Sequence, residues 1–197
     1  MTNKSNLTRF ARAHKQRGVS LPLVAIVIAI SLLLGLAALI FGPRYITQAK
    51  ADNLANAIQD LKGQVVAYGG RVGVFVAANS TLPVLVGQGV FPRSQVTGTA
   101  AAPVVTHEFG GIVSAVAIGT TSVLGDSLDF SLNGIPQDAC TLIGSSMDDV
   151  ASRITVGTGA GGGTETKAVG ARTVVATLNT ACATGNQNNT MTFRLSR

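Results

Sequence analysis

The run Gly18-Val19-Ser20-Leu21-Pro22-Leu23-Val24-Ala25-Ile26-Val27-Ile28-Ala29-Ile30-Ser31-Leu32-Leu33-Leu34-Gly35-Leu36-Ala37-Ala38-Leu39-Ile40-Phe41-Gly42-Pro43 contains no ionisable side chain. As a helix rising about 1.5 Å per residue, residues 19–42 reach roughly 36 Å, enough to cross a bilayer core of about 30 Å. The preceding residues 1–18 carry Lys4, Arg9, Arg12, Lys15 and Arg17 and no acid, which keeps that end cytoplasmic by the positive-inside rule. An ordinary export signal is cut after its apolar segment, whereas here the polar leader ends in a glycine ahead of it. A cut after Gly18 would leave the apolar helix on the mature chain as a membrane anchor.

The helix need not stop at the bilayer. Across residues 44–66 the apolar side chains Ile46, Ala49, Leu54, Ala57, Ile58, Leu61 and Val65 recur three to five positions apart, with Lys50, Asp52, Asp60 and Lys62 between them. This predicts an amphipathic continuation over residues 44–70, ended by Gly69-Gly70. Pro43 should kink or locally melt the rod. Residues 71–103 carry mixed signals: Val72-Gly73-Val74-Phe75-Val76 reads as a short strand or more helix, and Pro83, Pro92 and Pro103 punctuate loops.

Strand signals come later, at residues 112–118, 128–132, 173–178 and 191–195, which should form a mainly antiparallel sheet. Pro136 suits the first turn of a helix running to about Ala151, with Cys140, Ile143, Met147 and Val150 on one buried face. Leu142 or Asp148 would face outward. The fold class is therefore α+β: a long N-terminal helix packed on an antiparallel sheet.

With 197 residues, a leader and a spanning helix leave about 150 for a single head domain over residues 71–197 and the helix that backs it, enough for a real core. The net charge of +6 is misleading as a sign of nucleic-acid binding. Five of the 15 Lys and Arg lie in the leader, and the remaining ten nearly balance nine acids. Without a basic stripe or interleaved aromatics, no direct nucleic-acid partner is expected.

The two cysteines, Cys140 and Cys182, lie in a part of the chain that the leader sends out of the cytoplasm, where disulfides persist. Pairing them closes a loop worth roughly 4 kcal/mol in the chain-entropy model; two buried thiols are the alternative. Other motifs are decoys. Gly157-Thr158-Gly159-Ala160-Gly161-Gly162 matches GxGxxG after a possible strand at Ile154-Thr155-Val156, but no amphipathic helix follows and no acid lies beyond Glu165 to hold a ribose. Gly161-Gly162-Gly163 reads as a flexible surface loop. His107 is the one histidine after the leader and is expected at the surface or in a turn. Asp148 and Asp149, adjacent on a helix, read as a solvated face. Asn79-Ser80-Thr81 and Asn188-Asn189-Thr190 match glycosylation acceptors, a frequent chance motif. No catalytic residues, cofactor or metal site are expected, and no enzyme activity.

The run Arg17-Gly18-Val19-Ser20-Leu21, followed by Val24-Ala25-Ile26-Val27-Ile28, resembles the prepilin peptidase site of type IV pilins, and the long leader resembles the type IVb branch. The segment from Leu128-Asp129-Phe130 through Asn133-Gly134-Ile135-Pro136 to Cys140 is similar to the strand, turn and cysteine-bearing helix of type IVb pilins, the group of the toxin-coregulated and conjugative thin-pilus pilins. Cys182 and Thr190-Met191-Thr192-Phe193-Arg194-Leu195 are similar to that group's second cysteine and final strand.

This resemblance implies prepilin peptidase cleavage after Gly18, methylation of Val19, and a D-region bounded by Cys140 and Cys182. It also implies an assembly helix, with Leu21, Leu23, Val24, Ile28 and Pro43 among its residues, that leaves the inner membrane for the core of an extracellular filament with the help of pilus assembly machinery. Small residues Ala25, Ala29, Gly35, Ala37 and Ala38 would let such helices approach closely. The stretch after the long helix matches the family's αβ-loop, a subunit-contact surface. One position departs from the pattern. The family's usual glutamate at the fifth mature residue is Leu23 here, which removes the expected partner of the Val19 amine. A minor pilin or secretion pseudopilin is therefore an alternative. A second is a secreted or membrane-tethered binding domain, cut at Ala49-Lys50-Ala51 or left uncut.

Overall fold

The computed structural model describes residues 21–159, 162–185 and 188–197. The chain divides into two compact units, Met1–Gly42 and Pro43–Arg197.

Helix α1 spans Leu21–Val72 and its helical backbone passes through Pro43 without local melting. In the first unit the large apolar side chains described on it are exposed, from 41% at Val24 to 86% at Leu21. In the second unit one stripe turns inward: Ala51, Leu54, Ala55, Ile58, Val65 and Tyr68 are buried at helical spacing. The stripe begins later than the periodicity predicts, because Tyr45, Ile46 and Ala49 are exposed. The end also moves, from Gly69-Gly70 to Val72. Gly73, at φ +76°, supplies the left-handed residue that closes the helix and donates its N–H to Gly69 O at 2.9 Å.

After α1 the chain forms α2 (Leu82–Gly87), a 3-10 turn at Arg93–Gln95, and a small hairpin of β1 (Val96–Gly98) with β2 (Pro103–Val105). Neither a strand nor a helix forms over residues 73–76; instead Phe75 packs into the core and donates its N–H to Gly125 O.

The main sheet contains β3 (Val113–Thr120), β4 (Leu124–Ile135), β5 (Arg153–Gly159), β6 (Gly162–Lys167) and β7 (Asn189–Ser196), in the order β3-β4-β7-β5-β6 with antiparallel neighbours. Its register explains the core. Leu128, Phe130 and Leu132 on β4 stand opposite Leu195, Phe193 and Met191 on β7, and Phe193 and Met191 in turn meet Ile154 and Val156 on β5. All eight are buried. Each large apolar side chain removed from water in this way contributes about 1.5–3 kcal/mol.

Helix α3 (Gln137–Ser146) is shorter than the run to Ala151 and takes Pro136 as its N-cap. Ala139, Cys140, Ile143 and Met147 are buried, while Leu142 faces outward at 42% exposure. Residues 173–178 are not a strand: helix α4 occupies Val175–Gly185 and buries Leu178, Ala181 and Cys182 at i, i+3 and i+4. The hairpin pairing Gly159 with Gly162 corrects the expected loop at Gly161-Gly162-Gly163, since Gly162 and Gly163 belong to strand β6. GxGxxG here bridges two strands, not a strand and a helix.

Candidate assembly surfaces

Gly18 and Val19, the expected processing residues, lie outside the described residues. The expected assembly residues Leu21, Leu23, Val24, Ile28 and Pro43 all lie on α1, and the first four are exposed. Ser31 Oγ donates to Val27 O at 2.8 Å, so the hydroxyl proton within the apolar stretch is satisfied internally. Gly35 has open space where a Cβ would stand. The described part of the first unit, residues 21–42, thus offers an uncharged helical surface that suits lipid or other helices.

On the second unit, α1 and the segment after α2 border an open groove of about 700 Å³, lined by amides and short polar groups such as Asn53, Asn56, Gln59 and Gln95. It runs along the segment that the resemblance matches to the family's αβ-loop. Asn79 is spent inside that segment. Its Oδ1 accepts from Val76 N–H at 2.8 Å, its Nδ2 donates to Val74 O at 3.0 Å, and its carbonyl accepts from Tyr68 Oη at 2.8 Å.

The disulfide Cys140–Cys182 joins α3 to α4, with Cα atoms 5.8 Å apart. A polar anchor links the stretch after α3 to the stretch before α4. Asp148 Oδ1 accepts from Thr173 Oγ1 at 2.7 Å and Thr173 N–H at 2.6 Å, and Lys167 Nζ lies 3.5 Å from the same oxygen. Hydrogen bonds from Thr173, helped by the Lys167 charge, lower the Asp148 pKa. Asp148 is therefore not merely part of a solvated face: it ties the end of α3 to the approach to α4. Asn189 Nδ2 adds a second tie, donating to Cys182 O at 3.0 Å and Ile135 O at 3.3 Å. Neither anchor has a local sequence signature, because their partners lie 7 to 54 positions away.

His107 meets one of its two expected placements and not the other. It sits in a turn, with its N–H on Gly111 O, but at 8% exposure it is buried rather than superficial. Its Nδ1 accepts from Phe109 N–H at 3.3 Å, which leaves Nε2 as the protonated nitrogen donating to Asn133 O at 2.7 Å. Burial lowers its pKa, against the opposing pull of the Asn133 carbonyl and the Glu108 charge. With both ring nitrogens engaged, the side chain is a clasp between this turn and β4.

The architecture has counterparts among solved structures. A type IVb pilin from Salmonella typhi is 17% identical, with a TM-score of 0.51, covering 72% of this chain and 99% of the other. TcpA, a type IV pilin from the El Tor biotype of Vibrio cholerae, is also 17% identical with a TM-score of 0.51, covering 76% of this chain and 99% of the other. At this identity the likeness concerns the fold. No curated protein sequence matches. The family described as PilS N terminal matches residues 44–196, the whole second unit apart from its two end residues. With the long helix, the antiparallel sheet and the Cys140–Cys182 bridge in place, that match decides the kinship: the chain belongs to the PilS N-terminal family and has the type IVb pilin fold.

Proposed function

We propose that this protein is the structural subunit of a type IVb pilus. The reading is carried by one observation: a disulfide-closed pilin head continues into a helix whose uncharged apolar residues from Leu21 onward stand exposed. Prepilin peptidase cuts after Gly18 and Val19 is methylated. The precursor waits in the inner membrane, and the pilus assembly machinery then moves its helix from lipid contacts to helix–helix contacts in an extracellular filament. Lipid tails are about as apolar as these side chains, so close packing at Ala25, Ala29 and Gly35 has to drive the exchange. The role is structural, with no reaction catalysed and no cofactor or nucleic acid required.

Leu23 favours a second reading, a minor subunit, because the Val19 amine lacks the carboxylate that the family usually places at this position. Stoichiometry in fibres sheared from expressing cells separates the two: a major subunit forms most of the fibre mass, a minor one a small fraction. A Leu36→Asp variant, which places a charge worth about 3 kcal/mol within the apolar span, should abolish fibres while leaving the head folded. Normal fibres containing Leu36→Asp would overturn the assembly role of this helix.

A further inference from the structure

Immediately after the uncharged stretch, Arg44 is the first charged residue of α1 beyond Pro43. It opens a groove of about 330 Å³, shared with Thr47 and Gln48 of the same helix and with Asp138, Thr141 and Leu142 of α3. The groove holds one cation and one anion. The ion pairs among the described residues are Arg153–Glu165, Lys167–Asp148 and Arg194–Asp129, so neither Arg44 nor Asp138 is held by a protein counter-charge. Both hydroxyls have spent their protons: Thr47 Oγ1 donates to Pro43 O at 3.0 Å and Thr141 Oγ1 donates to Asp138 O at 3.1 Å. What they retain is acceptor capacity.

The groove therefore combines donors, the Arg44 guanidinium and the Gln48 amide, with acceptors, the Asp138 carboxylate and two hydroxyl oxygens. We propose that it binds the headgroup of a phosphatidylethanolamine molecule, with the phosphate on Arg44 and Gln48 and the primary ammonium on Asp138, Thr47 and Thr141. The chemistry selects among lipids. A choline headgroup has no N–H to give the acceptors, and a glycerol headgroup has no positive charge for Asp138. Leu142, exposed at the rim, suits the start of an acyl chain. The inference rests on the reading that the apolar half of α1 lies in a membrane before assembly, which brings residue 44 to the level of the headgroups.

The test uses the full chain purified in mild detergent and titrated with phosphatidylethanolamine, phosphatidylcholine or phosphatidylglycerol, with bound lipid counted by native mass spectrometry. Loss of a charge-assisted hydrogen bond should leave phosphatidylcholine about tenfold weaker than phosphatidylethanolamine. Asp138→Asn should bring that ratio close to one, and Arg44→Gln should weaken all three lipids. Equal binding of the three by the unaltered chain, or selectivity unchanged in Asp138→Asn, overturns the proposal. Membrane fractionation of the unaltered chain tests the anchoring separately: a chain found in membranes without headgroup selectivity sinks the lipid site alone, whereas a chain absent from membranes sinks the anchoring on which the site depends.

Discussion

Arg194 on β7 grips Asp129 on β4 through two parallel hydrogen bonds, Nε to Oδ1 and Nη2 to Oδ2, each 2.7 Å. Its remaining nitrogen, Nη1, reaches Thr120 O on β3 at 2.6 Å, so one guanidinium stitches three adjacent strands. Lysine cannot reproduce this fork. Both side chains are largely buried, at 12% and 17% exposure. Arg194→Lys should therefore cost about 2 kcal/mol, and Asp129→Ala, which strands the guanidinium, about 3 kcal/mol. Urea unfolding of the variants measures both, and equal stability to the parent would refute the stitching role.

The Cys140–Cys182 bridge should set the durability of the region between α3 and α4. Replacing both cysteines by serine should destabilise the head by about 4 kcal/mol in the chain-entropy model. Differential scanning calorimetry with and without reductant gives the comparison: the parent should fall to the variant's transition when reduced, and the variant should not respond. A parent indifferent to complete reduction would show that packing alone holds α4 in place.

Asp126 should govern tolerance to acid. Partial burial works to raise its pKa, but hydrogen bonds from Thr121 Oγ1 and from the N–H groups of Val123, Ser122 and Thr121 prevail and hold it well below the usual carboxylate range. A carboxylate depressed in the folded state stabilises fully above its unfolded pKa, near 3.9, and loses that contribution as pH falls through the folded value. The contribution of Asp126 should therefore be kept down to about pH 4 and be lost below it. Asp126→Asn should lose about 1 kcal/mol at pH 7 and show a shallower acid slope. Parallel slopes for the two proteins would remove Asp126 from the explanation.

A second pH window belongs to His107. Its pKa is lowered in the folded state, so the unfolded chain takes up a proton first, near pH 6.5, and stability falls as pH drops from there through the folded value. His107→Gln should flatten that part of the profile. The turn beside it tolerates no added bulk: a Cβ on Gly111 would stand 1.9 Å from Asn133 O and 2.5 Å from His107 Nε2. Because a backbone carbonyl cannot step aside as a side-chain tip can, Gly111→Ala should cost about 3 kcal/mol or more. Thermal melts at pH 5 and pH 8 check both, and a Gly111→Ala head as stable as the parent would contradict this close packing.

The parts of this fold that are legible in the sequence are those with a local period. Leu128, Phe130 and Leu132 alternate with polar neighbours and form β4, and Met191, Phe193 and Leu195 do the same in β7. Val174 and Val175 pulled residues 173–178 toward a strand reading, yet the spacing of Leu178, Ala181 and Cys182 was the truer signal, and α4 forms. Strand β6 escaped because Gly162-Gly163-Thr164-Glu165-Thr166-Lys167 has no apolar face; its place comes from pairing with β5. The Arg194–Asp129 fork and the His107–Asn133 clasp join residues 65 and 26 positions apart, and no local pattern announces such contacts. The apolar helix, by contrast, needed only its composition.

Mass spectrometry of filaments sheared from cells expressing this protein reads processing and assembly together, since a pilus subunit must enter the fibre with its apolar helix intact. The dominant N-terminal peptide should begin at methylated Val19. A mature chain that begins at Asp52, or that retains residues 1–18, would contradict it.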